Sequence, residues 1–139
     1  MPTFTTNQIG LSYPKGRDTI TKIMKINRTD SSTPKMTIPK DAVICGLHVY
    51  QDAAAVTAAG AYNLGWSGAT TALLNAFSLP TSTVGLANSG SATGTGFLTK
   101  LTQDQQLIGT YTVGSSTAGG TGYVIIEYFM PGAQEQVDD

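Results

Sequence analysis

The sequence predicts an all-β fold, a jelly-roll-like antiparallel β-sandwich with at most one short helix. Short apolar or alternating runs recur along the chain, Gly- and Pro-containing turns separate them, and no alternation of strands with helices is visible. A chain of 139 residues has the size of one domain. We expect a single sandwich domain over residues 1–130 with an N-terminal arm over about residues 1–18, and an acidic C-terminal tail over residues 131–139.

Five segments carry strand signals. The apolar face of residues 19–29 is interrupted by Lys22, which indicates an outer or edge strand. Residues 43–50 form a short continuous apolar run, which is typical of a central strand. The remaining strands are predicted over residues 61–66, 106–113 and 122–129.

The last of these is the strongest strand in the chain, and its alternation divides the side chains between two faces. One face holds Val124, Ile126 and Tyr128, and the other holds Tyr123, Ile125, Glu127 and Phe129. The Gly/Ser/Thr-rich residues 114–122 are a candidate connection between two antiparallel strands. Residues 68–79 are the helix candidate, because their apolar positions have near-helical spacing and Pro80 follows.

Charged residues make up only 12% of the chain, about half the usual share. The 8 basic and 9 acidic residues nearly balance, which argues against a nucleic-acid-binding protein and against attraction to an anionic membrane. No apolar run approaches the roughly 20 residues of a membrane span, and no signal-peptide pattern opens the chain. A surface of Thr, Ser, Gly and Ala favours a chain that works within an assembly, and an uncharged soluble domain fits equally.

The only cysteine and the only histidine, Cys45 and His48, are three positions apart. Side chains alternate along a strand, so this spacing predicts that the two point to opposite faces and share neither a metal ion nor a proton. The first predicted face, buried and apolar, comprises Val43, Cys45, Leu47 and Val49; the second comprises Ile44, Gly46, His48 and Tyr50. A single cysteine also excludes an internal disulfide.

Other catalytic patterns are missing from the sequence. No nucleophile-elbow motif, zinc-ligand cluster or phosphate-binding loop is present. The predicted protein is therefore not an enzyme and takes no cofactor or metal ion. An enzyme alternative, a glycan hydrolase, would need two carboxylates that converge in a cleft. The scattered candidates are Asp30, Asp41, Asp52, Asp104 and Glu127.

Residues 39–129 resemble a family of small virion proteins of tailed bacteriophages, the head decoration (cement) or minor structural proteins. The resemblance lies in the order and composition of segments. These are "IPKDAVICGLHVYQDAAA" (38–55), "AYNLGWSGAT" (61–70), "ALLNAF" (72–77) and "QQLIGTYTVGSSTAGGTGYVIIEYF" (105–129). The chain departs from the pattern in "NLGW", where Trp66 stands at a position expected to be acidic.

The resemblance implies a jelly-roll-like sandwich, a homotrimer, and attachment to the major capsid protein on the outside of an icosahedral phage head assembled in the host cytoplasm. Such a protein stabilises the shell by binding it, without chemistry. The aromatic and apolar Tyr123, Ile125 and Phe129 are candidate interface residues, with the ordinary sandwich core as the alternative place for each. Tyr13, Lys15 and Arg17 of the N-terminal arm are candidate contacts to the capsid or to neighbouring subunits.

A second functional class remains open: a tail- or fibre-associated module that binds host carbohydrate. It would use exposed Tyr62 and Trp66 with Asn63 as a polar partner. Because Tyr62 and Trp66 share a predicted strand face with Leu64, burial in the core is the competing prediction.

Overall fold

The computed structural model describes residues 19–82, 84–88 and 96–131. Within them lie eight β-strands: β1 Ile20–Ile26, β2 Thr33–Ile38, β3 Val43–Ala53, β4 Gly60–Trp66, β5 Ala69–Leu79, β6 Gly85–Asn88, β7 Gln105–Thr112 and β8 Thr121–Phe129. The five predicted strands are confirmed as β1, β3, β4, β7 and β8. Strands β2 and β6 were not predicted.

The strands form two four-stranded sheets with the orders β1-β8-β3-β6 and β2-β7-β4-β5. Every pair is antiparallel, so the predicted antiparallel β-sandwich is confirmed. The chain changes sheet at each connection except that between β4 and β5, which pair with each other. Strand β1 is an edge strand, as Lys22 predicts, and β3 lies inside its sheet, as its apolar run predicts.

One hydrophobic core fills the space between the sheets. From the first sheet, alternate residues point inward, among them Met24, Ile26, Leu47, Val49, Val124, Ile126 and Tyr128. From the second sheet come Ile38, Tyr62, Leu64, Leu73, Leu74, Leu79, Leu107 and Tyr111. The inward face of β8 is therefore the one with Val124, and the face with Tyr123 lies on the outside of the sandwich.

The helix predicted over residues 68–79 is wrong, because these residues form β5. The pairing of β5 with β4 shifts register on both sides of Leu64, and Ala76 has a positive φ of 51°. Such irregularities insert residues into the period-2 pattern, so that three consecutive residues, Ala72, Leu73 and Leu74, are all buried. A bulged strand with this burial pattern has the near-helical apolar spacing that misled the prediction.

The Gly-rich residues 114–120 connect β7 to β8, and these two strands belong to different sheets. The segment predicted to connect two strands does so, and the two strands that it joins do not pair with each other. Arg28 holds the connection in place: its guanidinium donates to Ser116 Oγ at 3.0 Å, to the carbonyl oxygen of Ser116 at 2.9 Å and to that of Gly119 at 3.0 Å. The connection that passes from one sheet to the other is therefore held by Arg28, which is about 90 positions away in sequence.

A buried polar network joins the β1–β2 turn to the second sheet. The Asp30 carboxylate accepts hydrogen bonds from the Tyr62 hydroxyl at 2.6 Å and the Asn27 amide at 3.1 Å, and Lys35 Nζ lies 2.8 Å away. The side chains of Asp30 and Lys35 are only 3% and 9% exposed. Burial, together with the adjacent Asp30 carboxylate, raises the pKa of Tyr62 far above its ordinary value, so that this hydroxyl remains a donor.

No helix among the described residues has the length and apolar character needed to cross a bilayer.

Candidate interaction surface

The outer face of the β1-β8-β3-β6 sheet carries large apolar side chains. Four of them, Ile23, Tyr50, Tyr123 and Ile125, line a shallow depression of about 280 Å³. Ile23 is 61% exposed and Tyr50 is 43% exposed, which is high for side chains of this size on a sheet. We call these four residues the apolar patch.

The strand register assembles the apolar patch from three strands. Ile23 of β1 stands opposite Ile125 of β8, and Tyr123 of β8 stands opposite Tyr50 of β3. Side chains directly opposite on one face of an antiparallel pair are close neighbours. The patch is therefore one contiguous surface held by a rigid sheet.

Charged side chains border the apolar patch on two sides. Lys25 Nζ lies 4.9 Å from the centre of the Tyr123 ring and 3.9 Å from Asp52 Oδ2. On the other side, His48 Nε2 lies 3.9 Å from Glu127 Oε1. An apolar centre with a polar rim is the anatomy of a protein–protein contact.

The structure brings together part of the predicted interface set. Tyr123, Ile125 and Phe129 lie on the same outer side of β8, and they are partly exposed outside the buried core. The alternative of an ordinary core position is therefore wrong for all three, because the core takes the other face of the strand. Tyr13, Lys15 and Arg17 lie outside the described residues.

Sequence reasoning missed Ile23 and Tyr50, the two most exposed members of the patch. Alternation could have found both only if the inward face of each strand had been known. Ile23 is out of phase with Met24 and Ile26, the buried residues of β1, and Tyr50 is out of phase with the buried Val49. The missing information was which phase of each strand faces the core.

The predicted assignment of residues 43–50 to two faces is wrong at the start of the strand, because Ile44 is buried and Cys45 is partly exposed. A register shift between Ile44 and Gly46 makes Cys45 the extra residue of a bulge, so Ile44 and Leu47 are both buried while Cys45 is partly exposed. The Cys45 thiol donates to the Glu127 carbonyl oxygen at 3.5 Å, and His48 also approaches Glu127. Both side chains therefore lie near one carboxylate-bearing residue.

This proximity does not create a reactive centre. Burial and the Glu127 carboxylate raise the pKa of Cys45, whereas a nucleophilic or metal-binding cysteine requires a lowered one. In the described part of the chain, no group of three or more His, Cys, Asp or Glu side chains is placed to hold a metal ion.

Replacing this thiol provides a first test. We expect Cys45→Ser to lower the free energy of unfolding by less than about 1 kcal/mol, because the position is partly exposed and the hydroxyl can still donate to Glu127. Denaturant unfolding measures this change. Loss of self-association by a folded Cys45→Ser protein would contradict a purely structural role for the thiol.

The described side chains do not form the carbohydrate site considered above. Tyr62 is fully buried and bonded to Asp30, and Trp66 packs against the core. Asn63 Oδ1 accepts a hydrogen bond from the Ala76 amide at 2.6 Å, which holds the irregular β4–β5 pairing. These three residues build the second sheet and present no aromatic platform to a sugar.

The five carboxylates considered for hydrolysis are engaged in separate places. Asp30 is buried against Lys35, and Asp104 accepts from the Lys40 amide at 2.8 Å. Asp52 accepts from the Thr121 hydroxyl at 2.8 Å. Asp41 lies 3.9 Å from Lys100, and Glu127 lies beside His48. Each of the five carboxylates therefore has a different contact partner.

Fold and surface together define a β-sandwich protein with an exposed apolar sheet face. Among solved structures, the chain resembles one described as "Cyanophage Pam1 capsid asymmetric unit", with a TM-score of 0.58 and 19% sequence identity. The likeness covers 94% of this chain and 100% of the other, so it is a likeness of the whole fold. No family model and no curated protein matches the sequence.

Proposed function

We propose that this chain is a structural protein of a bacteriophage virion, a decoration (cement) protein on the outer surface of the head. It is a homotrimer that binds the major capsid protein and stabilises the shell without catalysis. The observation that carries the proposal is the likeness of fold, end to end, to a chain of a phage capsid asymmetric unit.

The strand arrangement supports the jelly-roll part of the proposal. Eight strands in two four-stranded sheets, with the chain passing repeatedly from one sheet to the other, are the layout of jelly rolls, which viral capsid proteins use. Fold alone does not determine function, so the proposal also depends on the chemistry of the exposed surface.

The apolar patch supports a role within an assembly. Its four side chains lie on three hydrogen-bonded strands of one sheet, and Tyr is among the residues enriched where proteins meet. Tyr123, Ile125 and Phe129 are proposed as the residues through which copies of the chain meet in the trimer. Closed threefold symmetry would match threefold positions on an icosahedral shell.

Stabilisation follows from mass action. A ligand that binds the assembled shell and not its dissociated subunits stabilises the shell by RT ln(1 + [L]/Kd), about 2.7 kcal/mol when its concentration is a hundred times the Kd. The protein therefore needs affinity for the junctions of capsid subunits and no reactive group.

Purified protein mixed with phage heads that lack decoration tests the proposal. We expect the protein to co-sediment with the heads in a saturable amount, and the decorated heads to release their DNA at a higher temperature. The control is the same protein with heads that already carry a full complement of decoration. Absence of binding to bare heads, or binding with no gain in heat resistance, would contradict the proposal.

A further inference from the structure

A partner could contact this sheet at its edge strand or on the face that carries the apolar patch. The edge is the less favourable of the two. Strand β1 is at an edge among the described strands, and it carries Lys22 and Lys25. Lysines on an edge strand discourage pairing with another strand. The face of the sheet, where Ile23 is 61% exposed, is the better contact surface.

The N-terminal arm, which lies outside the described residues, has a sequence that complements this face. Ile9, Leu11 and Tyr13 alternate with Gly10 and Ser12. In an extended segment, three apolar side chains at this spacing share one side, and the small residues occupy the other. Pro14 follows and disfavours helical geometry at Tyr13.

The charged residues of the arm are also complementary to the border of the apolar patch. Lys15 and Arg17 follow the apolar stripe of the arm, and Glu127 borders the apolar patch. At the opposite border, Asp52 already has a lysine, Lys25, at 3.9 Å, whereas the neighbour of Glu127 at this distance is His48. Opposite charges on the rim of a contact fix its orientation, so the cationic end of the arm belongs at the Glu127 border.

The length of the arm and the direction in which it enters β1 indicate which copy of the chain supplies it. Ile9 and Thr19 are ten positions apart, and in extended form this segment spans roughly 33 Å, enough to reach a neighbouring subunit. An arm that turned back tightly before β1 would continue as a hairpin strand in the plane of its own sheet. It would then meet the lysine-bearing edge and not the face.

We propose that the apolar patch is the docking site for residues 9–17 of a neighbouring copy of this chain. The proposal rests on the homotrimer proposed above and names what each copy contributes: a sheet face to one neighbour and an N-terminal arm to the other. A cyclic exchange of arms closes after three copies and leaves no patch uncovered.

Disulfide trapping tests the docking directly. In a Cys45→Ser background, one tagged chain carries Leu11→Cys and a second, differently tagged chain carries either Ile23→Cys or Ile125→Cys, which are opposite each other across β1 and β8. The two chains are co-expressed and treated with oxidised glutathione. We expect a disulfide-linked heterodimer on denaturing gels with at least one of the two patch positions.

The matched control replaces the patch cysteine by Thr37→Cys, an exposed position on β2 in the other sheet. We expect no link above the background of random collision. A chain with both Leu11→Cys and Ile125→Cys distinguishes the source of the arm. Links within one chain only, no link at the patch, or equal links at Thr37 would each overturn the proposal.

A second measurement separates this proposal from the proposed function. Leu11→Asp in the otherwise native chain is expected to shift the solution mass from trimer to monomer while the β-sheet circular dichroism stays unchanged. Binding to bare phage heads without any patch link in the trapping experiment would overturn the docking and leave the decoration role intact. Patch links without head binding would support the docking and overturn the decoration role.

Discussion

Replacing Asp30 by alanine is expected to destabilise the fold by about 3–5 kcal/mol, because it removes one partner of a buried ion pair. The Lys35 side chain, only 9% exposed, loses the carboxylate 2.8 Å from Nζ and keeps the Lys25 carbonyl oxygen at 2.9 Å, and the fully buried Tyr62 hydroxyl loses its acceptor. Each buried group left without a partner keeps its full desolvation cost. The β1–β2 turn would also lose the bond to the Asn27 amide.

Urea unfolding followed by tryptophan fluorescence measures the effect, because the only tryptophan, Trp66, packs against the core. The matched control is Lys100→Ala, which breaks the ion pair of 3.9 Å with Asp41, whose two side chains are 63% (Lys100) and 49% (Asp41) exposed. An exposed pair contributes about 0–1 kcal/mol. Equal losses for the two variants would mean that the Asp30 network does not hold the sandwich together.

Replacing Ile23 by aspartate is expected to abolish self-association while the monomer stays folded. Ile23 is 61% exposed, so the isolated chain loses little core packing. In the assembly, the new carboxylate would be buried in the apolar patch. It would also lie near Glu127 of β8, because Glu127 stands opposite Thr21, two positions before residue 23 on β1. Burying an uncompensated charge is costly, and a loss of about 2.7 kcal/mol already corresponds to a hundredfold weaker association.

Sedimentation velocity at several protein concentrations measures this loss, and circular dichroism monitors the fold. The matched control is Val113→Asp, because Val113 is 39% exposed and directly follows β7, which belongs to the other sheet. If both variants associate like the native chain, the patch is not the contact surface. If both fail to associate, the effect is one of net charge.

Alternation in β8 shows how far sequence reasoning reaches. Nine residues without a bulge, Thr121–Phe129, keep strict period 2, so their division into two faces was predicted correctly. The pattern could not say which face is inward, because both carry large apolar side chains. That choice depends on β1 and β3, whose own buried residues lie on the side of Val124 and Ile126.

Two of the errors, at Cys45 and at residues 69–79, have one physical origin. In β3 and β5 a bulge inserts a residue, and every side chain beyond it changes phase. The position of Cys45 and the strand nature of residues 69–79 both depended on such an insertion. A bulge is set by the partner strand and by long-range contacts such as that of Asn63 with Ala76, which local periodicity does not contain.

By itself, the sequence determined the class of fold, the edge position of β1, the interior position of β3 and the two faces of β8, because each follows from local alternation and from the charges within one strand. Only the tertiary structure decided which faces pair into the core, and hence that Ile23, Tyr50, Tyr123 and Ile125 meet on the outside. These residues come from three strands separated by up to about a hundred positions. Their neighbourhood arises from strand order and register, which depend on contacts across the whole sandwich.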